Sequence, residues 1–153
     1  MNAWSWEWGI LPLEEQETIE AILATSRVIA VVGLSDRPER PSHSVARYLQ
    51  DQGYRIIPVN PKLTASVLGE EPYSTLDDVP ERVDLVDIFR RSTDVPSIME
   101  AAIRIKAPVV WLQLGIVHEE AAKAAREAGT QVVMDRCLAI EHQILVRDGK
   151  RTS

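Results

Sequence analysis

Cysteine occurs once in 153 residues, at Cys137, which excludes an internal disulfide framework. The three histidines, His43, His118 and His142, show no metal-ligand spacing, so no metal site is expected. Basic residues are in the minority, 17 against 23 acidic, and a net charge of -6 argues against a general nucleic-acid surface. Any anionic ligand must therefore be held by a local cluster. No apolar run approaches membrane-spanning length. Met1 to Gly9 lacks the basic and apolar regions of a signal peptide, and the expected location is cytoplasmic, with neither membrane nor nucleic acid as partner.

Internal repeats and low-complexity segments are also missing. What remains is ordinary for a globular chain, 45% hydrophobic and 26% charged, with length for one core but not for a nucleotide-binding domain plus a catalytic one. The expected division is an N-terminal arm (1–12), one domain (13–147) and a C-terminal tail (148–153). Trp4, Trp6 and Trp8 alternate in the arm, where an extended chain would set three indoles on one face. Covering the protein's own surface or a symmetry mate is the plainer reading than ligand stacking.

The chain is organised around Val28 to Lys62. Val28-Ile29-Ala30-Val31-Val32 is a continuous apolar run, as in a parallel strand buried on both faces. Gly33 ends it, allowing a tight turn and close backbone approach to a ligand. The second and third glycines of G-x-G-x-x-G are absent. A longer loop, Ser35 to Ser42, carries Arg37 and Arg40, and Ser42 or Ser44 is expected to cap the helix that follows. A helix start flanked by two guanidinium groups fits phosphate; an ordinary capped helix after a polar loop fits equally.

The second strand, Tyr54 to Val59, ends in Asn60-Pro61-Lys62, where NAD-binding proteins place a carboxylate for the ribose hydroxyls. Neutral Asn60 and cationic Lys62 welcome a phosphorylated ribose, which points to NADP or coenzyme A. A third strand, Val83 to Phe89, leads to Arg90 and Arg91, suited to phosphate or to solvent. A fourth, Val109 to Leu114, leads through Gln113 and Leu114 to Gly115, and Gln113 is placed to orient a ligand or the next loop. A fifth spans Thr130 to Met134. Helical spacing marks Leu13 to Thr25, Val45 to Leu49, Val95 to Ile103, Glu119 to Ala128 and a terminal helix that starts at Asp135-Arg136-Cys137 and carries Ile140, Ile144 and Leu145. The predicted fold is α/β, a Rossmann-like doubly wound parallel sheet of about five strands in the order 3-2-1-4-5 with helices on both faces. That order would bring Gly33 to Ser35 near Gln113 to Gly115.

The segments Val32-Gly33-Leu34-Ser35, Arg40-Pro41-Ser42, Pro58-Val59-Asn60-Pro61, Val86-Asp87-Ile88-Phe89-Arg90-Arg91, Val110 to Gly115 and Val133-Met134-Asp135-Arg136-Cys137 resemble the small single-domain CoA-binding protein family. That family is similar in fold to the CoA-binding domain of the succinyl-CoA synthetase alpha subunit. The resemblance covers roughly residues 15 to 145. It implies that Gly33, Leu34, Ser35, Arg40 and Ser42 meet the diphosphate of coenzyme A. By the same resemblance, Val59, Asn60, Pro61 and Lys62 border the ribose and its phosphate, Ile88 and Phe89 the adenine, and Gln113, Leu114 and Gly115 the pantetheine.

No catalytic motif accompanies these residues, and 153 residues are not expected to hold the second domain that carries the synthetase's phosphorylated histidine. The expected function is non-catalytic binding of coenzyme A or an acyl-CoA. The rivals are an NADP-dependent oxidoreductase, or its remnant, and a protein-interaction domain with a vestigial nucleotide pocket. A homodimer is compatible with the sequence, and no protein partner is indicated. Cys137 at a helix start could hold a lowered thiol pKa, although burial as a small hydrophobe is the plainer reading.

Overall fold

A computed structural model describes residues 13–149 of the chain. The tryptophan arm lies outside the described residues. The elements run α1 (Leu13–Thr25), β1 (Val28–Val32), α2 (Pro41–Asp51), β2 (Arg55–Val59), a 3-10 turn (Leu76–Asp78), β3 (Leu85–Ile88), a second 3-10 turn (Ser92–Asp94), α3 (Val95–Arg104), β4 (Val109–Leu112), α4 (Glu119–Glu127), β5 (Gln131–Val133) and α5 (Leu138–Arg147). Among the described residues no helix is long and apolar enough to cross a membrane.

All strand pairings are parallel, as the apolar strands predict. Successive side chains enter opposite layers. Ile29, Val31, Leu85, Val109 and Trp111 pack under α1, α2 and α5. Ala30, Val32, Val86, Ile88, Val110 and Leu112 pack over α3, α4 and Leu76 of the first 3-10 turn. The sheet is thus doubly wound, with helices on both faces. The buried stripe of α4 is Ala122 and Ala125, while Ala124 and Ala128 face outward.

The strand order corrects the expectation of 3-2-1-4-5: it is β2-β1-β3-β4-β5. An order of 3-2-1 would place β2 between two partners, and Pro58 has no N–H for a second ladder. In the structure Gly33 N donates to Val59 O, and Arg55 N to Arg27 O, so the odd residues of β2 face β1 and Pro58 faces away. The chain then crosses to the far side of β1, where Val31 pairs with Asp87. The switch point lies between β1 and β3. Consequently the turn at Gly33 meets Phe89, and Gln113 stands one strand further along the rim, its N–H donating to Ile88 O.

Candidate functional site

The site is built where β1, β2 and β3 end. Gly33 turns the chain with φ +90°, and a Cβ built on it would stand 2.5 Å from Phe89 O and 3.0 Å from Arg90 Cδ. The close approach that demands glycine is thus made by the neighbouring strand. Leu34 then dives into the core at 0% exposure. Only its backbone is at the rim, and its carbonyl accepts from Asn60 Nδ2 at 3.1 Å. Asn60 Oδ1 accepts from Lys62 N at 3.0 Å, so this one amide joins the loops after β1 and β2.

The start of α2 differs from the expected serine cap. Arg40 is the N-cap residue with no side-chain cap bond, and Pro41 opens the helix with a preset φ and no N–H to satisfy. Ser44 Oγ turns back to Pro41 O at 3.1 Å. Ser42 is buried, and its hydroxyl oxygen accepts from Ser35 N at 3.0 Å, while Ser35 Oγ accepts from Arg37 N at 3.1 Å. The loop is held to the helix by hydroxyls in place of glycines.

Two clefts meet at Gly33. One, of about 350 Å³, is lined by Gly33, Ser35, Arg37, Arg40, Pro41, Ser42 and Phe89. The lining takes both arginines of the loop and leaves out its two carboxylates, Asp36 and Glu39. Among the described residues neither arginine has a carboxylate partner within 4.0 Å. This is a local cationic pocket on an acidic protein.

The second cleft, about 220 Å³, lies on the other side of the sheet rim. Val32, Val59, Pro61 and Ile98 give it apolar walls, and Asn60, Ser74, Ser97, Arg90 and Asp94 its polar groups. Arg90 grips Asp94 through Nε at 3.2 Å and a terminal nitrogen at 3.1 Å. Arg91 approaches the same carboxylate at 3.9 Å with its side chain 83% exposed. The basic pair after β3 is therefore partly neutralised, and this cleft suits a neutral, flat group better than a phosphate. Lys62 stands exposed just beyond Pro61.

The structure thus gathers Gly33, Ser35, Arg40, Ser42 and Phe89 in one cleft, and Gly33, Val59, Asn60, Pro61 and Arg90 in the other. It leaves Ile88 at 0% exposure within the core, with no surface to offer a base. Gln113 is buried, its Oε1 accepting from Leu138 N at 3.1 Å, so its amide positions α5. Gly115 N donates to Asp135 Oδ1 at 2.7 Å, and Leu114 is 65% exposed beside it. Sequence reasoning missed Ser74, Asp94, Ser97 and Ile98. The Arg90 to Asp94 spacing of four residues was the available signal.

One buried acid lies beneath the rim. Asp87 fills the middle of the transverse row Val31-Asp87-Trp111 at 0% exposure, and among the described residues neither carboxylate oxygen has a hydrogen-bond partner. Burial pushes its pKa well above the ordinary carboxylate value. His142, on α5 of the helical layer that covers this face, shares a hydrogen bond at Nδ1 with Tyr48 Oη at 2.8 Å, and burial lowers its pKa.

A family model described as a CoA binding domain matches residues 27–143. The uncharacterized protein YneT of Bacillus subtilis (strain 168) is 45% identical over 126 residues, which is 82% of this chain and 93% of that protein. The solved structure of cell-free ID.343 from Thermus thermophilus is 42% identical with a TM-score of 0.82, covering 85% of this chain and 98% of that one. A hypothetical protein from Pyrococcus horikoshii OT3 is 38% identical with a TM-score of 0.83, covering 89% and 96%.

Proposed function

This chain belongs to the CoA-binding domain family, and from that premise we propose that it binds coenzyme A or an acyl-CoA along the carboxyl rim of its sheet without making or breaking a bond. The observation that carries the proposal is the cleft whose lining takes Arg37 and Arg40 and omits Asp36 and Glu39. Two guanidinium groups without carboxylate partners among the described residues, beside the Ser35 and Ser42 hydroxyls, offer charge-assisted bonds to a diphosphate. The cleft beside Pro61 fits the flat, uncharged adenine, with Val59, Pro61 and Ile98 as walls and Ser97 and Asp94 as polar contacts. Lys62, outside that cleft, is left for the ribose phosphate. Gly33 lies in both linings, so one ligand can pass from cleft to cleft over a backbone with no side chain.

A thermal-denaturation panel of CoA, dephospho-CoA, NADPH and ADP tests this reading. At about a hundred times its Kd, CoA should raise the melting temperature by roughly 5–10 °C, and dephospho-CoA by less. A larger shift with NADPH than with CoA would transfer the site to the oxidoreductase reading. No shift with any of the four would leave a protein-interaction domain.

A further inference from the structure

We propose that the groove between α3 and α4 takes the acyl chain of a thioester ligand, and that it selects neutral acyl groups of about four to six carbons over dicarboxylic ones. The inference rests on the reading of the rim as a CoA site and adds a subsite to it. Pro96, Met99, Ile103, Ala121 and Ala124 form an apolar groove of about 210 Å³. Small side chains on α4 make the room. Only Ile116, Val117 and His118 separate Gly115 at the rim from the first residue of α4, so the groove opens within a few residues of the rim. Leu114 and Val117, 65% and 41% exposed, are apolar residues of the same connection between β4 and α4. Covering them with a ligand chain gains the free energy of removing apolar area from water.

The charge of the lip decides the class of chain. Glu100 and Glu120, both exposed, border the groove, and the remaining polar residue of the lining is His118. His118 Nδ1 accepts from Ala121 N at 3.1 Å, which fixes that nitrogen as the helix cap. Arg104, one turn from Glu100, is held by Asp77 at 2.7 Å. A terminal carboxylate would meet two like charges there with no cation in the lining, whereas a hydrocarbon end meets Met99 and Ile103.

Calorimetric titration of the full chain with CoA, butyryl-CoA, hexanoyl-CoA and succinyl-CoA tests this. Hexanoyl-CoA should bind at least about tenfold more tightly than CoA, the worth of roughly two buried methylenes, and succinyl-CoA no more tightly than CoA. Ala121→Phe should bring the hexanoyl-to-CoA ratio close to one. Glu120→Lys, at an exposed helix position, should raise the succinyl-to-butyryl ratio several-fold by reversing one charge at the lip while leaving the apolar walls in place. Equal affinities for CoA and hexanoyl-CoA, or ratios untouched by both substitutions, overturn the acyl subsite while leaving CoA binding in place. Failure of all four ligands to bind overturns the rim site and the groove together.

Discussion

The α-carbon of Gly33 lies against the carbonyl of Phe89 so closely that a methyl group there would sit 2.5 Å from the oxygen. Two demands coincide, a left-handed φ of +90° and the absence of room. Gly33→Ala should therefore cost about 2–4 kcal/mol, combining left-handed backbone strain with overpacking against a backbone atom that cannot rotate away. Gly53 has φ +103° and nothing within 4 Å, so Gly53→Ala should cost only the backbone part, about 1–2 kcal/mol. Urea denaturation of the two variants checks the difference; equal losses would mean that the Phe89 contact relaxes freely.

Arg37 and Arg40 should act together on phosphate. Arg37→Ala and Arg40→Ala are each expected to weaken CoA by roughly tenfold, the scale of a charge-assisted hydrogen bond, with little change in stability because neither side chain has an ion-pair partner among the described residues. Titrations at two salt concentrations check the electrostatic origin. An affinity indifferent to salt and to both substitutions would remove the diphosphate from this cleft.

Lys62→Glu separates the ribose phosphate from the rest of the ligand. Lys62 is exposed, and its backbone N–H is held by Asn60 Oδ1 at 3.0 Å, so the fold should tolerate the change. CoA is expected to weaken by roughly tenfold and dephospho-CoA hardly at all. Equal weakening of the two would place the ribose phosphate elsewhere.

Asp87 should leave a signature in the pH dependence of stability. Its folded pKa is raised, so above the ordinary carboxylate range the native state keeps a proton that the unfolded chain releases, and stability falls as pH climbs towards the folded value. His142 acts in the opposite sense: its lowered pKa makes stability fall as pH drops below about 6.5, where the unfolded imidazole charges first. Asp87→Asn removes only the first contribution. The melting temperature of the variant relative to the parent should therefore rise from pH 4 to pH 8. A difference that stays flat over that range would show that Asp87 titrates normally.

The parallel, doubly wound sheet was legible because its strands are continuous apolar runs and its helices carry clear stripes, as at Ile19, Ile22 and Leu23. Strand order was misread although Pro58 carried the information: a residue without an N–H belongs where no second ladder forms. At the rim, Gly33 and the loop arginines announced themselves by residue type. Ile88 did not separate from Phe89, because alternation along a strand says which residues share a face and leaves open where the core ends. Gln113 was legible as an orienting amide, and the choice between ligand and loop required the distance to Leu138. Asp87 was invisible as an unpartnered acid, since the lack of a hydrogen bond is a property of its surroundings and not of the strand that bears it.

The outer side of β2 has a further consequence. Tyr73 bridges to Val59, its N–H donates to Pro58 O and its carbonyl accepts from Asn60 N, while Pro58 itself offers no donor. Templated growth at this margin is blocked both by a tenant and by a missing donor. Two copies that fused their sheets into one would have to join through Gln131–Val133, a margin of three residues, which leaves little backbone for such a seam.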